Sequence, residues 1–190
     1  MTTPLGKQLS VDNMPRKLAA PSRRLKLAPH LVPKPLWGKS ASQVFGRRAL
    51  WKRIRTDALI AANHACQVCS DAPSPIYGDP LICHEIWDYD DKRGTATLMG
   101  FRIQCNKCNS AVHMGMAVAY GAGDAAIDQL RKVNGISTEE AEELYRDAMA
   151  MWKQRSQKKW RLAVSKSVLK KYPQLAELME LNGVRQREGV

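Results

Sequence analysis

Between residues 47 and 62, Leu50, Trp51, Ile54, Ala58, Ala61 and Ala62 recur at helical spacing, while Lys52, Arg53 and Arg55 fall largely on the other side. At 3.6 residues per turn this pattern predicts an amphipathic helix with a basic face. Asn63 and His64 end it. Beyond a turn-rich stretch from 73 to 80, the period shortens. Residues 81–87 (Leu-Ile-Cys-His-Glu-Ile-Trp) and 95–103 (Thr-Ala-Thr-Leu-Met-Gly-Phe-Arg-Ile) read as strands. The polar stretch 88–94, ending in Gly94, reads as the turn between them, which makes a hairpin. Helical spacing returns over 109–120, 124–133 and 138–157. Ser137-Thr-Glu-Glu140 is a capping box for the last of these, with the serine satisfying an orphan amide and the glutamate reaching back. Ala141, Leu144, Tyr145, Ala148 and Trp152 then form one apolar stripe. A final helical region, 165–181, gives way near Asn182-Gly183 to a polar tail.

The first 45 residues follow neither period. Pro4, Pro15, Pro21, Pro29, Pro33 and Pro35 remove backbone donors and bias their predecessors away from helix, so this segment is predicted as an extended arm. Its apolar run from Leu31 to Trp37 anchors it on the core. Trp37, Trp51, Trp87, Trp152 and Trp160 are all read as packing residues.

Charge sharpens the picture. The chain carries +12, and residues 1–50 contribute +9 of it through ten Lys or Arg against Asp12 alone. Such a distribution favours polyanionic partners, nucleic acid before membrane. Lys153, Arg155, Lys158, Lys159 and Arg161 form a second basic cluster, read either as an extension of that surface or as a solvated helix end. No run reaches the roughly 18 apolar residues of a membrane span, and no apolar signal core stands at the N-terminus, so a cytoplasmic protein is expected.

The candidate chemistry lies in two cysteine pairs, Cys66-Gln-Val-Cys69 and Cys105-Asn-Lys-Cys108. Each C-x2-C knuckle lets two sulfurs converge on one tetrahedral ion, so the four together predict a structural zinc site. Cys83 falls outside both pairs and reads as a buried strand thiol. His84 sits on the first strand. Asn109 and His113, four apart, share one face of the helix that follows the second knuckle. His30 and His64 carry no predicted role.

The run from Leu81 to Trp87, followed by Leu98-Met-Gly-Phe-Arg-Ile-Gln-Cys105-Asn-Lys-Cys108-Asn-Ser-Ala-Val-His113, resembles the HNH endonuclease module of the ββα-metal class. The resemblance is to the subset in which two C-x2-C pairs bind a structural zinc, and it covers residues 66 to 113. It implies His84 as the general base that activates water. It implies His113 and Asn109 as helix ligands of a catalytic divalent metal (Mg, Mn or Zn), and Cys83 at the position of the family's acidic or histidine ligand. Thr97 lies near the place of the middle asparagine.

The expected fold is therefore α+β. A mainly helical chain surrounds a small zinc-stapled ββα, HNH-like module and carries an extended basic N-terminal arm. The expected divisions are the arm (1–45), the zinc module with flanking helices (46–160), and a C-terminal helix and tail (161–190). The implied function is metal-dependent hydrolysis of DNA phosphodiesters. The alternative is a catalytically degenerate zinc-binding module that binds nucleic acid, or a protein partner, without cleavage.

Overall fold

The computed structural model describes residues 25–45, 48–70 and 80–180. The earlier part of the expected arm, most of the turn-rich stretch and the polar tail lie outside them. The architecture is mixed α and β, mainly helical, around a small three-stranded sheet.

A 3-10 turn, Lys34–Leu36, precedes helices α1 (Ala41–Phe45) and α2 (Ala49–Ala61). The hairpin follows as β1 (Ile82–Asp90) and β2 (Thr95–Gln104). Its antiparallel register runs from Ile82 opposite Gln104 to Asp90 opposite Thr95, with a bulge between Ile86 and Trp87. The turn is built as its residues dictate. The Asp90 carboxylate accepts from the amides of Lys92 and Arg93. Gly94 takes φ +61°, and a Cβ there would stand 2.8 Å from the carbonyl oxygen of Lys159, so no side chain fits.

Four helices then run as α3 (Asn106–Val112), α4 (Met114–Ala119), α5 (Gly123–Asn134) and α6 (Thr138–Arg155). The Ser137–Glu140 capping box opens α6 as expected. The single helix expected over 109–120 is instead two, α3 and α4, which meet at His113 with φ −91° and ψ 41°. Leu31 packs against Gly115 just beyond that break, 3.4 Å from where a Cβ would sit.

One strand was not predicted. Strand β3 (Arg161–Val164) pairs in parallel with β2, Arg161 beside Thr95 and Val164 beside Leu98, giving the order β1-β2-β3. Residues 161–164 thus belong to the same sheet as the hairpin, inside what was expected to be a C-terminal helix and tail. A parallel neighbour needs a long crossover, which α3 to α6 provide. The helix expected over 165–181 is also broken, into α7 (Lys166–Lys171), a 3-10 turn (Pro173–Ala176) and α8 (Glu177–Glu180). Pro173 lacks the amide that a continuous helix would need.

The main core gathers Leu27, Phe45, Ile54, Leu98, Ile103, Met114, Leu130, Leu175 and Leu178, all nearly inaccessible to solvent. A smaller cluster joins Leu36, Ala96, Trp160 and Leu162. The stretch after residue 25 is tied down by Asn134. Its Oδ1 accepts from the amides of Lys26 and Leu27, while its Nδ2 donates to the carbonyls of Leu27 and Leu130. Trp37 departs from the expected packing role. It is 60% exposed, and its Nε1 donates to the Val32 carbonyl.

Candidate functional site

The hairpin return and the loop after α2 bring the two cysteine knuckles together. The ligand atoms of Cys66, Cys69, Cys105 and Cys108 all lie within 4.8 Å of one another. The Cys69 and Cys105 sulfurs are 3.7 Å apart. Four thiolates at about 2.3 Å from a tetrahedral zinc stand about 3.8 Å from each other, so the spacing fits such an ion. None of the four forms a disulfide. Among the described residues this is the one group of three or more His, Cys, Asp or Glu donors close enough to share an ion.

The surroundings suit bound sulfur. Cys105 caps α3, its sulfur accepting from the Cys108 amide. Gln129, on α5, donates to Cys108 Sγ at 3.1 Å. Burial and the neighbouring sulfurs push the Cys108 thiol up to about 12, the cost of holding negative charge there without a counter-ion. The Arg102 guanidinium lies near enough to Cys66 and Cys108 to feel their charge. With the Gln104 amide oriented to face it, Arg102 donates from Nε and Nη2 to the Gln104 oxygen.

A separate cavity of about 870 Å³ opens along the edge strand β1. Its wall contains His84, Asn109 and His113, brought together by the hairpin and α3. His84 Nδ1 is 3.2 Å from Asn109 Oδ1. With the amide oxygen as acceptor, the proton resides on Nδ1 and Nε2 carries the lone pair. The His84 and His113 rings are 5.0 Å apart at 61°. His84 is only 9% exposed.

Sequence reasoning missed His30. It lines the same cavity, its amide donates to the Val112 carbonyl at 2.8 Å, and its ring lies 5.0 Å from that of Tyr89. Nothing near it in sequence marks it. Only the clamp of Asn134 on Lys26 and Leu27, with the Val112 contact, brings it beside the hairpin. Burial, with Arg155, His113 and Arg102, lowers His30 to about 4. Burial, with His113, Arg102 and His30, lowers His84 to about 3, against the opposing bond to Asn109. Burial lowers His113 as well. Three neutral imidazoles thus face one cavity at pH 7.

Cys83, Asn109 and His113, the expected second metal set, all line this cavity. Cys83 is buried, and desolvation followed by the nearby Glu85 charge pushes its thiol up to about 11, so it keeps its proton. Asn109 offers its oxygen to His84 instead. His113 remains at the cavity wall. Glu85 is in the wall too, although strand alternation turns it from His84. Its carboxylate accepts from the Ser42 amide and Trp87 Nε1, and burial raises its pKa. Asp91 pairs with Arg155 and Lys158 of the second basic cluster. Thr97 pairs with Asp88 in the hairpin and does not line the cavity. His64 is exposed.

Among the described residues no helix is long and apolar enough to cross a membrane. In comparisons with protein-family models, with curated proteins and with solved structures, no match to the chain was found.

Proposed function

We propose that the chain is an HNH-type endonuclease that hydrolyses DNA phosphodiesters, with His84 as general base and a zinc ion on Cys66, Cys69, Cys105 and Cys108 as scaffold. The observation that carries this reading is the bond between His84 Nδ1 and Asn109 Oδ1 inside the cavity. It fixes the tautomer and leaves the Nε2 lone pair free, while the negative charge of a phosphate bound beside the ring would raise His84 from about 3 towards the range a general base needs. Asn109 acts by positioning His84, not as a metal ligand.

The donors that remain in the wall are the neutral imidazoles of His113 and His30, which suit zinc or manganese better than magnesium. A divalent ion bound there would neutralise charge on the phosphate and the leaving oxygen. The protein's own contribution is a fixed base and positive charge concentrated in the chain to draw DNA in. The test is nicking of supercoiled plasmid with magnesium, manganese or zinc, beside His84→Ala and His113→Ala. Loss of general-base catalysis should cut the rate by roughly 100-fold or more. No nicking by the wild type, or the same rate in His84→Ala, overturns the reading.

The protonated Cys83 and the engaged Asn109 favour a second reading, a zinc module that binds DNA without cutting it. One zinc per chain, with no further manganese bound and no nicking, would establish it.

A further inference from the structure

The cavity beside His84 is shaped and lined for more than a phosphate. Its volume falls within the roughly 300–1,000 Å³ of pockets that enclose organic ligands. At its rim stand Trp37, 60% exposed, Tyr120, 82% exposed, and Met116, 58% exposed. Large rings held out in water beside a cavity mark a contact surface. Charge selects the kind of ligand. Among the described residues Glu85 is the one carboxylate in the wall, and its oxygens are already bonded to Ser42 and Trp87. Lys39 lines the wall, and Lys34 Nζ sits 5.3 Å from the centre of the Trp152 ring, another wall residue. A ligand with flat aromatic faces and negative charge fits this combination.

Strand state follows from reach. In a regular duplex the bases are stacked inside and offer no face to a protein ring, while the phosphates ride on the outer ridges. His84 lies recessed in the cavity, 9% exposed. A phosphate comes within a hydrogen bond of Nε2 only if its strand enters the cavity, and the bases beside it must then leave their stack.

We infer that the cavity receives an unpaired DNA segment, with a base stacked on Trp37 or Tyr120 and the adjoining phosphate directed at His84. Cleavage at that phosphate rests on the proposed nuclease activity, whereas binding of the unpaired strand does not. Duplex DNA becomes a substrate only where it is melted or a base is flipped out.

The experiment uses the full zinc-loaded chain and a fluorescent 12-nucleotide deoxythymidine strand, free or paired with its complement. Anisotropy reads binding and gel electrophoresis with manganese reads cleavage. Each stacked base is worth roughly 5- to 100-fold in affinity. The free strand should bind at least about tenfold more tightly than the duplex, Trp37→Ala/Tyr120→Ala should abolish that preference, and Trp37→Phe should retain it. Both rings are exposed, and circular dichroism of the double variant checks the fold. The preference, lost in the double variant but without cleavage of either DNA, upholds the cavity assignment and overturns the nuclease. Equal binding and cutting of duplex and free strand, unchanged in the double variant, upholds the nuclease and overturns the cavity assignment.

Discussion

Replacing Cys105 by serine removes one sulfur from the four-cysteine group and leaves the local helix start intact, since a serine hydroxyl also caps a helix. Cys105 now accepts from the Cys108 amide, and serine preserves that acceptor. What is lost is the fourth ligand, and with it the ion that links the two knuckles. Cys69 and Cys105 are 36 residues apart, and in the chain-entropy account a cross-link over that span stabilises the fold by about 4 kcal/mol. For a chain of this length, that predicts a fall in Tm of roughly 8–16 °C. The measurement is thermal unfolding by circular dichroism, alongside zinc content by atomic spectroscopy. Wild type should hold one zinc per chain and lose the same stability to a strong chelator, while Cys105→Ser should be insensitive to chelation. Cys83→Ala should keep its zinc, because that sulfur lies outside the group. Zinc well below one equivalent in wild type, or a chelator that leaves Tm unmoved, would refute the reasoning.

Three further outcomes follow. Asn109→Ala removes the acceptor from His84 Nδ1, so plasmid nicking should slow by about 10- to 100-fold and Asn109→Asp should restore it; an unchanged rate in Asn109→Ala would end the positioning role. Asn134→Ala deletes three hydrogen bonds that hold residues 26 and 27 and a fourth to the Leu130 carbonyl, and should cost about 3 kcal/mol in urea unfolding, with a loss below about 1 kcal/mol counting against the clamp. His30, lowered by burial to about 4, protonates first in the unfolded chain, so its contribution is fully present above pH 6.5 and lost as the pH falls towards 4. Between pH 6.5 and 5.5 wild type should lose about 1 kcal/mol more stability than His30→Gln, and parallel pH dependences would show that His30 is not held neutral.

The hairpin was legible because strand residues and turn residues agree: the alternation of 95–103 and the Asp90 to Gly94 turn each point to the same register. The knuckle spacing carried the four-cysteine group, and the capping box carried the start of α6, since both are local chemistry with fixed offsets. Strand β3 was not legible. Four residues, Arg161-Leu-Ala-Val164, hold too little alternation to stand out, and their partner lies more than 60 residues earlier along β2. The break at His113 was hidden for a related reason, because 109–120 is helical in period throughout and a distant residue, Leu31, packs against Gly115 beside the bend.

By itself the sequence determined the α+β class, the hairpin and the gathering of four sulfurs, because propensity, turn chemistry and ligand spacing act over a few residues. Tertiary structure alone decided where the histidines sit and what they touch. It turned Asn109 to His84, buried Cys83 with its proton, and carried His30 into the cavity through Asn134. Those outcomes depend on desolvation and on contacts between segments far apart in the chain, and neither is written in local spacing.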